Sequence, residues 1–330
     1  MEKNSFNFLR FVMAHVIMLA HLVELSQSED LSWLGTFCES YLGVCGFFVI
    51  SGFLVAKSLS KTPDLKVYFM KRTKRILPAY VVVILLSVLF LSLFSTLSFT
   101  AYFSSKETYS YTFWNLIFLN FMQPVLPGVF LENPYPFING SLWTMKIEEG
   151  FYLILPLLFL FLTKLKNKNL GLFLIYVLSI AYSYVMLEIF DKPLLEKQLP
   201  GKLSLFVVGI YIFMNFEYFI KHKWRYLMIS VLLLVLQFTY FDFSVIFPFA
   251  FGVIILFLAY SLPFTESFSK KADYTYGIYL FHFPIIQVLV HYKLFEKYNP
   301  YLVLIFMLLL VYTCAYLSWH LIEKRFLNRL

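Results

Sequence analysis

Ten long apolar stretches divide this chain of 330 residues, and no other feature so narrows what it can fold into. They run approximately over 6–24, 37–59, 76–98, 142–163, 170–189, 201–217, 224–241, 243–262, 273–292 and 299–321. Each is long enough to cross or nearly cross a hydrocarbon layer of about 30 Å as a helix. None alternates polar and apolar residues every second position, which excludes the membrane β-barrel pattern. With 60% hydrophobic residues and a mean hydropathy of +0.75, the chain reads as all-α: a polytopic membrane protein of about ten transmembrane helices. The stretch 113–127 is apolar but short and broken by Pro124 and Pro127, so it reads as one re-entrant or interfacial segment. No linker-like tract of Gly, Pro or Ser interrupts the pattern, and residues 1–330 are expected to form a single integral membrane domain.

Charge sets the expected orientation. Of 27 Lys and Arg, 20 fall on the side that holds both termini, including Lys3, Lys270, Lys271, Arg329 and the seven from Lys57 to Arg75. The other side has 7: Lys106, Lys146, Lys192, Lys197, Lys202, Lys293 and Lys297. This bias predicts cytoplasmic N- and C-termini. It also explains the net charge of +8 as topology, so nucleic acid is not expected as a partner. Cys38, Cys45 and Cys314 have neither metal-ligand nor disulfide spacing, and no metal is expected.

A few polar residues lie where membrane sequence tolerates them poorly. Arg10 and His21 are eleven positions apart in the first apolar stretch. On a helix they point within about 20° of each other, roughly 16 Å apart along the axis. Neutral imidazole suits a general base that activates a hydroxyl, while Arg10 can bind a phosphate or snorkel to headgroups. His15 lies about 120° around the helix from His21 and reads as structural. Arg72 and Arg75, three apart, can hold a phosphorylated ligand bidentately or face anionic lipid. Glu148 and Glu149 enter the fourth span; one can orient a histidine or pair with an arginine, and Lys146 is close enough for an intrahelical ion pair. Trp143 marks that span's outer boundary. His282 sits near mid-membrane, two residues before Pro284, and can line a cavity with His21 or tie helices together.

Taken in order, these segments resemble acyltransferase family 3, membrane proteins that O-acylate bacterial surface glycans, over nearly the whole chain. FNFLRFVMAHVIMLAH resembles the first-helix signature, with Arg10 and His21 in its Arg and His positions. GVCGFFVISGFL resembles the second-helix signature ending in Ser-Gly-Phe-Leu, and KRTKRILPAY the Arg-x-x-Arg segment of Arg72 and Arg75. SLWTMKIEEGFYLILP is similar to a pattern of Trp, Glu and Phe-Tyr, here Trp143, Glu148, Phe151 and Tyr152. YGIYLFHFP resembles the late Tyr-Leu-x-His-x-Pro element, with Tyr279, His282 and Pro284. Cys45 departs from a position where the family often has an acid, and Lys146 adds a cation to the Glu-bearing segment.

The resemblance implies an O-acetyltransferase that takes an acyl group, acetyl above all, from acetyl-coenzyme A. The acceptor would be a hydroxyl of a cell-surface or lipid-linked glycan such as O-antigen or exopolysaccharide. His21 would be the base, and Glu148 would orient it or balance its charge. Arg10, Arg72 and Arg75 would hold the donor, with Trp143, Tyr152, Tyr279 and His282 supporting. The alternative from another class is a transporter or flippase for a glycan or lipid intermediate, but no inverted repeat or paired discontinuous helices are evident.

Overall fold

In the computed structural model, helices form at each of the ten apolar segments. The structure describes residues 4–62, 64–240, 245–262 and 273–327. In chain order the helices are α1 (Phe6–Ser26), α2 (Ser40–Lys61), α3 (Leu65–Leu91), α4 (Lys106–Leu116), α5 (Trp143–Thr163) and α6 (Lys168–Tyr184). They continue with α7 (Leu199–Met214), α8 (Phe216–Tyr240), α9 (Phe247–Ala259), α10 (Thr275–His291) and α11 (Pro300–Ser318), joined by turns and shorter helical pieces. No strand occurs among the described residues. Lys3, Lys270, Lys271 and Arg329 of the expected charge bias, and the first two residues of the 243–262 segment, lie outside them.

Ten helical segments are not ten established crossings. Five described helices are both long and apolar enough to span, or six if the bent pair Pro193–Met214 and Phe216–Tyr240, at 113°, counts as one. The reasons are local. α9 has 13 residues and α7 has 16, so they reach only about 20–24 Å. α5 has 21 residues but carries Lys146, Glu148 and Glu149. α8 is broken at His222, whose backbone leaves helical geometry (φ −116°, ψ 19°).

Two local features have identifiable causes. α3 starts eleven residues before the apolar stretch, because Asp64 Oδ1 accepts the backbone N–H groups of Lys66 (2.8 Å) and Val67 (3.4 Å). The Lys/Arg-rich turn that follows consists of good helix formers, so Arg72 and Arg75 are helical. The segment 113–127 is no single helix. α4 ends at Leu116, Phe118 turns into the left-handed region (φ 63°), and Asn115 Nδ2 donates to the carbonyls of Tyr111 and Gln123 across the turn.

The chain divides into two compact units. The first comprises Met1–Arg10, Val44–Phe69 and Ile147–Lys271. Within it α7 packs on α6 and α9, and α8 packs on α9. A close crossing lies between α2 and α7: a Cβ at Gly52 would sit 2.1 Å from the Phe206 carbonyl oxygen, and one at Gly209 2.3 Å from that of Val49. Backbones this close need glycine on both sides. Lys202, expected among the loop cations, is instead buried in α7 with Nζ 2.5 Å from Glu196 Oε1. The second unit comprises Phe11–Gly43, Met70–Lys146 and Ala272–Leu330, and within it α10 packs on α11. Leu170, Phe173 and Leu178 on α6 and Leu302, Ile305 and Leu309 on α11 are exposed, as lipid-facing side chains are.

Candidate active site

The polar centre of the second unit joins α1 to α10. Nδ1 of His21 and Nε2 of His282 are 2.9 Å apart, and the two rings are nearly parallel, with 5° between their planes. His282 is fully buried and its Nδ1 lies 3.0 Å from the Ile278 carbonyl one turn back. His21 is half-buried, with the Phe283 ring edge-on at 5.2 Å between centroids. Nε2 of His21 has no protein hydrogen-bond partner among the described residues. His15, the neighbour read as structural, uses both ring nitrogens: one on the Phe11 carbonyl at 2.7 Å, the other on the Tyr312 hydroxyl at 2.5 Å.

The segment 133–144 holds α10 in register around His282. Pro284 has no N–H, so the Leu280 carbonyl four residues back loses its helical donor. Asn139 Nδ2 replaces it at 2.9 Å, and Asn139 Oδ1 accepts from Ser141 Oγ at 2.6 Å. Tyr279 Oη donates to the Ser141 carbonyl at 2.7 Å and lies 2.5 Å from Thr144 Oγ1. One turn further on, the buried Gln287 exchanges bonds with Asn133 Nδ2 (2.8 Å) and the carbonyls of Tyr135 and Phe137. Gly140 leaves room for Phe283, because a Cβ there would meet that ring at 2.7 Å. Trp143, the first residue of α5, lies within this segment and is half-buried. Lys146 holds its ammonium 4.3 Å from the centre of the Phe121 ring, a cation–π contact.

Of the expected donor-binding arginines, Arg72 and Arg75 lie on α3 and both are half-buried. Arg75 Nη2 is 3.0 Å from Asp273 Oδ2, and the other oxygen of Asp273 accepts the Thr275 N–H at the start of α10. Arg10 is half-buried and lies on α1, the helix that also carries His21.

Within the first unit, Glu148 Oε1 accepts from Ser51 Oγ at 3.2 Å and from the Tyr152 hydroxyl one turn along α5. Tyr152 is buried, and its carbonyl accepts from the buried Tyr68 hydroxyl at 3.1 Å. Ser51 is one residue from the Gly52 crossing, so its position is fixed by backbone packing. The partner that the structure gives Glu148 is thus a pair of hydroxyls, and the partner it gives His21 is His282.

Sequence reasoning named His21, His282, Glu148, Tyr152 and Tyr279 but not what holds them. Ser51 was visible in Ser-Gly-Phe-Leu, and Asn139 and Ser141 in the Asn-Gly-Ser just before Trp143. Neither carries a charge or periodicity that would mark it. Asp273, the partner of Arg75, had no signal at all.

Comparison with known proteins identifies the family. A family model described as an acyltransferase domain matches residues 3–320. The O-acetyl transferase of Shigella phage Sf6 is 25% identical over 339 residues, covering 99% of this chain and 97% of that protein. Nodulation protein 10 of Rhizobium leguminosarum bv. viciae is 30% identical over 168 residues, 48% of this chain and 44% of that protein. No solved structure matches the chain. A match spanning nearly every described helix, with the expected motifs in order, places the chain in acyltransferase family 3: it is an integral membrane acyltransferase.

Proposed function

We propose that this enzyme transfers an acetyl group from acetyl-coenzyme A to a hydroxyl of a cell-surface or lipid-linked glycan. The whole chain would act as one domain in the cytoplasmic membrane, with both termini cytoplasmic. The observation that carries the reading is the state of His21: one ring nitrogen is bonded to His282 and the other, Nε2, has no partner among the described residues. An imidazole held at one edge and unbonded at the other is what a general base requires.

In the proposed reaction, Nε2 takes the proton of the acceptor hydroxyl as its oxygen attacks the thioester carbonyl carbon. The carbon–sulfur bond then breaks, and His21 returns the proton to the departing thiolate. Ester and free thiol result, and the enzyme is restored. Arg10, Arg72 and Arg75 hold the donor's phosphates, where guanidinium forks bind bidentately. Arg75 is oriented for this by Asp273. Glu148, the other residue expected to take part, is held by Ser51 and Tyr152. The acetyl group is supported by the name of the Shigella phage relative, an O-acetyl transferase that the chain matches over nearly its whole length; the glycan acceptor rests on the family resemblance.

Proteoliposomes holding the purified enzyme, acetyl-labelled acetyl-coenzyme A outside and candidate bacterial glycans inside test the proposal. Label is expected in the sugar, as an alkali-labile ester. Accumulation of unmodified glycan or lipid across the membrane, with no label transferred, would instead identify a transporter.

A further inference from the structure

The bond between the two histidines has a direction, and the direction is fixed from one end. A carbonyl oxygen only accepts, so the 3.0 Å contact between His282 Nδ1 and the Ile278 carbonyl places a proton on Nδ1. His282 is fully buried and hydrogen-bonds to no carboxylate among the described residues, so it is the neutral imidazole. Its Nε2 then carries only a lone pair. The 2.9 Å bond to His21 must run the other way, with the proton on His21 Nδ1. The remaining nitrogen of His21, Nε2, is left bare.

From this chain we infer that His282 is the positioning residue of the base: it selects the tautomer of His21 in which Nε2 accepts a proton. The inference rests on the reading of His21 as general base and names what makes it competent. In serine hydrolases a buried carboxylate performs this task. Here a backbone carbonyl and a second imidazole perform it, and no net charge is buried behind the base. When Nε2 takes the substrate proton, the Nδ1–H bond to His282 becomes charge-assisted and strengthens as the reaction proceeds. The rings are near-parallel, 5° between planes, with centroids 5.2 Å apart for a 2.9 Å contact, which is an edge-to-edge arrangement and keeps that bond in the plane of both imidazoles, where nitrogen lone pairs point. Asn139 on the Leu280 carbonyl and Tyr279 on Ser141 hold the turn of α10 that presents His282.

Nitrogen NMR of the full-length enzyme in nanodiscs, labelled at histidine nitrogens and assigned with His21→Gln and His282→Gln, reads the tautomers directly. The wild-type enzyme is expected to show His21 protonated at Nδ1 and bare at Nε2. His21 found protonated at Nε2 overturns the inference without any variant having to fold. His282→Ala is expected to lower kcat by about 100-fold or more with both KM values within about twofold, and to let His21 revert to the Nε2–H form that free imidazole prefers. His282→Gln can accept from Nδ1–H through its amide oxygen and is expected to recover at least 10-fold of that loss. Wild-type kcat in His282→Ala, while His21→Ala is inactive, refutes the role of His282 and leaves the base assignment standing. Activity in His21→Ala refutes the base itself.

Discussion

Asn139 is expected to matter to stability mainly because Pro284 frees a carbonyl. Asn139→Ala removes the donor to the Leu280 carbonyl, which Pro284 leaves without a helical partner. That acceptor lies in the fold against a buried side chain, since Asn139 is 6% exposed, so water cannot readily replace the lost bond. Leaving a buried acceptor unsatisfied costs about 1–3 kcal/mol. Ser141 Oγ also loses its 2.6 Å bond to Asn139 but retains a weak one to the Tyr279 carbonyl at 3.4 Å, so its share is about 0.5–1 kcal/mol. Pro284→Ala supplies an N–H at the right position in an otherwise continuous helix, and that N–H bonds the Leu280 carbonyl. In the Pro284→Ala background, Asn139→Ala should therefore cost only the Ser141 share. The predicted coupling between the two sites is about 1 kcal/mol or more. Unfolding in mixed detergent micelles, followed by tryptophan fluorescence for the four proteins of the cycle, measures it. Equal costs of Asn139→Ala in both backgrounds would refute the account of the freed carbonyl.

Three further outcomes follow from the packing and the charges. Gly52→Ala places a methyl against the Phe206 backbone, which no rotamer change relieves, so folded yield after extraction should collapse or stability fall by at least about 2 kcal/mol; a normal yield and melting curve would contradict the crossing. Gly140→Ala should drive Phe283 toward His21 and lower kcat by about 10-fold or more, because a shift near 1 Å at the base is enough, and Phe283→Leu should restore part of it in steady-state assays. Arg72→Lys keeps the charge but loses the fork, so the KM for acetyl-coenzyme A should rise by about 10-fold while the acceptor KM holds; an unchanged donor KM would remove Arg72 from the donor site.

The fold class was legible because hydropathy and length act over whole segments, and helices appear at each of the ten. The number of crossings was not, because it depends on features that average out: the three charges in α5, the break at His222 and the 13-residue length of α9. The start of α3 was misplaced for a related reason, since one side chain, Asp64, caps a helix whose first turns are basic and not apolar. At the site, charged and titratable residues stood out against apolar sequence because burying them is expensive. Their partners did not stand out. Asn139 and Asp273 are ordinary residues just before helices and Ser51 is an uncharged residue inside α2, and each is paired with a residue about a hundred or more positions away. The ring opposite His21 is another imidazole, His282, 261 positions away in sequence.

Single-turnover acyl transfer by His21→Ala, at saturating acetyl-coenzyme A and acceptor in nanodiscs, bears most directly on the central claim. With donor binding retained and the fold intact by circular dichroism, the rate should fall by about 100- to 10,000-fold. A rate within twofold of the wild-type enzyme would contradict it.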